Sequence, residues 1–475
     1  MPDASPSDPI ELRLNACWFD VDEAEAAAAS GKLAGTALRW MVTNPVADRQ
    51  HLAPPQPADY SNWTDSRVGW GVILPEQSDA SPGAAEDLGG APEAIKRLIA
   101  DRKAKQGSVP VFRYDKAWEY RYSLLRSRSR SQPQAISATT YGLGDREIPY
   151  YLLICGTPEQ IPWEFQYILN ATHAVGRLDL DEEGLSRYVD ALIAGWAGSE
   201  AKPSADRARA LVWAVDHSVT DITHLMREAI ARPLYEKYSS DADMKADLLA
   251  GADAGGGALI QKLAEVRPGL VVTTSHGRTA PTAEDKQQEM RDTLGIPVDR
   301  DLRALDLAKL LARWDPYGSI WYAHACCSAG GDGLDRFDGV IADGSSAKAV
   351  LKAVARLGPV SAPLPRKLLG GERPARAFVG HVEPTFDWTL QHPLTRQQLT
   401  GELVRALYDN LYLHQPIGHA LKAWFRPLGG LRETYEFEKS RLLDLPTARG
   451  ALLYASLAAK DVESTVILGD PTATL

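Results

Sequence analysis

The chain has 475 residues, 44% of them apolar and 24% charged, and a formal net charge of −10. With a mean hydropathy of −0.25 and a pI near 5.6, this composition fits a water-soluble globular protein and argues against a dominant nucleic-acid surface. No run of 18 apolar residues occurs, so no membrane partner is expected. The start, MPDASPSDPIELRLN, lacks the basic and apolar stretches of a secretory signal. Four cysteines, Cys17, Cys155, Cys326 and Cys327, make no disulfide framework, and reduced thiols in a cytoplasm are the expectation. The length predicts two or three folding units.

Residues 1–145 read as an accessory or regulatory region. They hold a short strand at Val68–Leu74, a Gly/Pro/acid stretch at residues 76–93 and a helix over Pro92–Lys105. A basic patch, Arg126-Ser-Arg-Ser-Arg130, follows the aromatic run KAWEYRYSLL. Such a pairing could grip a phosphate backbone, but a solvated basic loop accounts for it more simply.

From Tyr150 onward, short apolar runs alternate with helical stretches. Tyr150–Cys155, Ala210–Val215, Leu270–Thr274 and Ser319–Ala323 are apolar throughout, as strands buried on both faces are. Helices are predicted at Leu185–Trp196, Ile222–Tyr238, Ala258–Val266 and Leu305–Trp314. A further strand follows at Arg376–His381, then helices near Arg396–Leu411 and Ala420–Phe425. The alternation predicts an α/β sandwich with a mostly parallel sheet over residues 146–475, divisible into 146–250 and 251–475.

Two strand ends carry chemistry. VVTTSHGRT places His276-Gly277 just past one buried strand, and SIWYAHACCSAGG places Cys326 just past the next. The carboxyl ends of strands in open α/β sheets form ligand crevices, and neighbouring strands lie about 4.8 Å apart. A thiol is mostly protonated at neutral pH and gains from a nearby imidazole, which afterwards can protonate a leaving amine. The backbone N–H groups of Gly277 and Cys326 are the expected oxyanion hole. Separately, each residue has an ordinary reading, as a loop histidine or a buried small hydrophobe. Their order and their spacing of 50 residues favour a catalytic pair, and about the same spacing separates the pair in caspases.

His-Gly after one strand and Ala-Cys-x-Ser-x-Gly after the next resembles the caspase–gingipain clan, most closely bacterial CHAT and gingipain-type peptidases. Tyr151–Phe165, Val175–Leu178, Ala375–Phe386 and Val466–Leu475 are similar, in order, to strand segments of such domains. The resemblance implies a caspase-like αβα sandwich and a cysteine endopeptidase with His276 as base and Cys326 as nucleophile. Its Ala-Cys-x-Ser frame leaves Cys327 to packing. The caspase sequence Gln-Ala-Cys-Arg-Gly is not kept, so aspartate specificity is not implied. Gingipain-like enzymes carry an acid near the strand at Val175–Leu178 to orient the histidine, and Asn170–Gly176 has none. Asp179 and Asp181, or Asp332 and Asp335, could line a pocket for a basic substrate side chain. For the first pair, acids in the opening turn of a helix are the simpler account.

The implied partners are a protein substrate, encoded alongside the enzyme in systems of this type, and a regulator docking on the N-terminal region. Regulated bacterial defence or cell death is the implied setting. The rival expectations are a catalytically inactive interaction module of the same shape and a self-processing zymogen cut in the basic loop Pro363–Arg376. No cofactor or metal is expected. His276, His324, Cys326 and Cys327 lack zinc-ligand spacing, and no serine-hydrolase, Walker A or dinucleotide-binding motif follows a strand.

Overall fold

In the computed structural model, residues 11–13, 16–17, 30–32, 34, 37, 58–76, 88–115, 124–127, 133–136, 140–441 and 448–475 are described. Residues 77–87 of the Gly/Pro-rich stretch, the aromatic run 116–123, and Arg128 and Arg130 lie outside them.

Segments such as YLLIC, PGLVVTT and IWYAH, buried at every position, need helices on both faces, and the sheet they form is so covered. It has ten strands. In chain order these are β1 (Trp70–Pro75), β2 (Val111–Tyr114), β3 (Tyr151–Cys155), β4 (Ala174–Leu178) and β5 (Asp206–Ala214). Then come β6 (Lys245–Ala250), β7 (Pro268–Thr274), β8 (Ile320–His324), β9 (Ala377–His381) and β10 (Thr465–Gly469). Their spatial order is β6-β5-β7-β8-β9-β10-β4-β3-β1-β2.

Every neighbouring pair is parallel except β9–β10. That reversal splits the sheet into two oppositely directed halves. Residues 206–381 supply one half, and residues 70–178 with β10 supply the other. The chain passes between halves after Leu178, not at residue 250. Strands β1 and β2 precede residue 146, so the sheet runs across the boundary expected there. The C-terminal Asp470, fully buried, binds this edge together. Its carboxylate accepts from Trp70 Nε1 at 3.0 Å and pairs with Arg102 at 3.4 Å.

Four helices lie next to residues considered for the site. They are α1 (Glu182–Ile193), α2 (Ile222–Met226), α3 (Ser346–Arg356) and α4 (Pro363–Gly370). Asp181, Asp221 and Ser345 cap α1, α2 and α3 through side-chain oxygens that accept backbone N–H groups. Most of the segment Pro363–Arg376, expected as an exposed loop, is α4 instead, because Pro363 and Pro365 sit in a first turn where a missing N–H costs nothing. Among the described residues no helix is long and apolar enough to cross a membrane.

Candidate active site

The register of three strands creates the site. Ala214 of β5 pairs with Thr274 of β7, and Thr274 pairs with His324 of β8. The ladder continues past the strand ends, with Val215 N–H donating to Thr274 O at 3.0 Å and Ser275 N–H to His324 O at 3.3 Å. His276 and Cys326 therefore leave neighbouring strands at the same level, each two residues beyond a paired position. Gly277 is required here by contact. A Cβ on it would lie 1.9 Å from the Cys326 carbonyl oxygen, so the two expected oxyanion residues touch through their backbones.

His276 is 2% exposed, and its Nε2 lies 3.1 Å from Asp221 Oδ2. An ionised carboxylate only accepts, so the proton in this bond belongs to Nε2. Asp221 divides its two oxygens. Oδ1 caps α2 by accepting Thr223 N–H at 2.8 Å and Thr223 Oγ1–H at 2.5 Å, while Oδ2 holds the imidazole. Burial alone would raise this carboxyl. The hydrogen bond and charge of His276, with both Thr223 donors, outweigh it and hold Asp221 well below the usual carboxylate range. The other nitrogen, Nδ1, is buried without a hydrogen-bond partner. One ring is thus fixed in tautomer and plane while its second nitrogen keeps a lone pair.

The orienting acid is a residue that sequence reasoning missed. Asn170, in the stretch where an acid was sought, is buried and donates through Nδ2 to Thr465 O at 3.4 Å. Asp221 had a legible local signal, since Asp before Ile-Thr-His-Leu-Met is a helix-capping pattern. Its second task reaches across 55 residues of sequence.

Cys326 is fully buried; its sulfur accepts the Thr385 N–H at 3.1 Å, and its thiol donates to the Thr385 carbonyl oxygen at 3.7 Å. Cys327 is fully buried as well. Its backbone is left-handed at φ 55°, its N–H donates to Glu383 O at 3.1 Å and its carbonyl accepts Gly330 N–H at 3.1 Å. Burial drives the Cys327 thiol well above its ordinary pKa, and the charges of Cys326 and Glu383 add to that. Ser328 has a structural task. Its hydroxyl donates to Ala323 O and accepts His381 N–H, both at 3.0 Å, tying the ends of β8 and β9 together. His324 turns into the core, where its Nδ1 lies 2.8 Å from the Tyr322 hydroxyl.

Asp179 and Asp181 follow β4, which runs opposite to β8, so they leave the sheet at the edge away from Cys326. Asp181 is the α1 cap, accepting Gly184 N–H at 2.7 Å. Asp335 is held by Lys348 at 2.9 Å. Asp332 is raised by burial and accepts Gly333 N–H at 2.7 Å. Ala16–Cys17 forms a parallel ladder with Gly277–Arg278. The N-terminal segment therefore runs along the backbone that follows His276.

What the residues define is a mixed α/β protein whose buried His-Asp pair and thiol sit at the carboxyl ends of adjacent strands. No family profile matches the chain. No curated protein matches it by sequence. Among solved structures it is similar to the complex of the pro- and mature domains of RgpB from Porphyromonas gingivalis, at a TM-score of 0.37 and 13% identity, covering 86% of this chain and 79% of that one.

Proposed function

We propose that this chain is a cysteine endopeptidase of the caspase-like type, with Cys326 as nucleophile, His276 as base and Asp221 as orienting acid. The observation that supports this most is the division of His276, with Nε2 bound to buried Asp221 and Nδ1 left without a partner. In the reaction, Nδ1 takes the Cys326 proton as sulfur attacks the peptide carbonyl. The resulting imidazolium returns the proton to the leaving amine, leaving a thioester, which water cleaves to regenerate the thiol. The substrate is a protein partner, and the N-terminal region is where a regulator docks or the site is gated.

A second reading, a latent form, is favoured by one observation: Cys326 is fully buried beneath Thr385. Self-cleavage within Pro363–Gly370 would require α4 to unwind. The test is a panel of fluorogenic peptides ending in Arg, Lys, Leu or Asp, with Cys326→Ala as control. Cleavage of one peptide, lost in Cys326→Ala, is the expected result. Equal rates in both proteins on every peptide would leave an interaction module as the better account. Intact mass after incubation, again against Cys326→Ala, separates self-processing from a stable closed form.

A further inference from the structure

We infer that His217 is a positioning residue for His276, clamping the face of its imidazole while Asp221 holds its edge. This rests on the proposed role of His276 and adds a residue that neither motif nor spacing indicates. Two neighbouring strands contribute. His217 lies three residues past Ala214 of β5, as His276 lies two past Thr274 of β7. The two rings stack with centroids 5.4 Å apart and an interplanar angle of 11°. An imidazole held only through Nε2 can still pivot about that hydrogen bond. A flat ring against its face removes the pivot, and Nδ1 then keeps one direction.

His217 also reaches the same acid through its backbone. Its N–H donates to Thr223 Oγ1 at 3.1 Å, and that hydroxyl donates to Asp221 Oδ1 at 2.5 Å. One residue thus braces both members of the His276–Asp221 pair. The ring of His217 is suited to a charged neighbour because it stays neutral. Its Nε2 is buried without a partner, and burial and the nearness of His276 lower its pKa, against the opposing pull of Asp221, Asp216 and Asp299.

The test uses the full chain with ¹⁵N-labelled histidine, and the substitutions His217→Phe and His217→Ala. The nitrogen shifts of His276 report its tautomer and titration midpoint without any substrate. The best peptide of the fluorogenic panel supplies kcat and KM across pH. In wild type and His217→Phe, His276 is expected as the single Nε2–H tautomer. In His217→Ala a mixture of tautomers is expected, with kcat down about tenfold at unchanged KM. Thermal melts of all three proteins check that each is folded. His276 shifts in folded His217→Ala that match wild type would overturn the inference. So would His217→Phe failing as badly as His217→Ala, because the ring face would then not be what matters. If no peptide is cleaved by wild type, the peptidase reading fails while the tautomer comparison still decides the role of His217.

Discussion

Asp221 Oδ2 lies 3.1 Å from His276 Nε2, although 55 residues separate the two in sequence. Because the same carboxylate caps α2, the position of the imidazole is tied to the start of a helix that packs beside β5. Asp221→Asn keeps the size and the cap, but its amide can donate toward Nε2 and favour the wrong tautomer. A loss of roughly 10²- to 10⁴-fold in kcat is expected on the best peptide, with little change in KM. The pH dependence has a definite sign. The folded carboxyl lies below its unfolded value, so its contribution to stability is complete above the ordinary carboxylate range and is lost as pH falls below it. Acid unfolding followed by circular dichroism should therefore be less steep in Asp221→Asn than in wild type.

The adjacent thiols should separate cleanly. Cys327 is enclosed, left-handed and driven away from the thiolate, whereas the Cys326 sulfur receives a backbone donor. Cys327→Ala is expected to keep peptide cleavage near wild type at a stability cost of about 1 kcal/mol. Cys326→Ala should abolish cleavage with little effect on the melt. Cleavage lost in Cys327→Ala but kept in Cys326→Ala would reverse the assignment of the nucleophile.

Gly277 tests how closely the two strand ends must approach. Alanine there would bring Cβ to 1.9 Å from the Cys326 carbonyl, and both partners are backbone, so neither can yield without moving a strand end. Gly277→Ala should lower both stability and peptide cleavage. A thermal melt beside the fluorogenic assay checks this, and a wild-type rate would show that the ends need not touch.

How much was legible follows from where the information lay. Leu270–Thr274 and Ser319–Ala323 were readable because strands buried on both faces need unbroken apolar runs, so His276 and Cys326 could be placed just beyond them. Strand β6 was missed. Lys245–Ala250 is an edge strand with mostly partial or full exposure and carries no such run. Nothing in the Ala-Cys-x-Ser pattern shows that the Ser hydroxyl bridges β8 and β9, since that needs both strands in place. The two stacked histidines and Asp221 were unreadable as a unit, since they meet only once β5 and β7 are set in register. The acids at residues 179 and 181 went the other way. Their helix-start pattern was the better guide, because one antiparallel pair of strands sends them to the opposite edge.

Ser328→Ala tests the bridge without touching the thiol. Removing the hydroxyl leaves the His381 N–H and the Ala323 carbonyl without the partner that joined them, in a fully buried place. A destabilisation of about 1–3 kcal/mol is expected from denaturant unfolding. Because β9 leads into Thr385, whose N–H meets the Cys326 sulfur, cleavage should fall as well. A stability change below about 0.5 kcal/mol would mean that water or a shifted strand replaces the hydroxyl.

His173 gives the protein a built-in acid sensitivity distinct from the site. It is 1% exposed just before β4, its Nδ1 lies 2.8 Å from Thr172 Oγ1, and its Nε2 has no partner. Burial, aided by the charge of Lys422, lowers its pKa to about 3. The folded protein therefore keeps this ring neutral while the unfolded chain protonates it near pH 6.5. Stability is complete above that pH and falls as pH drops below it, by about 2 kcal/mol at pH 5 from this one residue. His173→Phe removes the titration while keeping a flat ring in the space. Between pH 7 and pH 5 the variant should lose about 2 kcal/mol less stability than wild type in urea unfolding. Identical pH dependence in the two proteins would show that water reaches the ring and that His173 is protonated in the folded state.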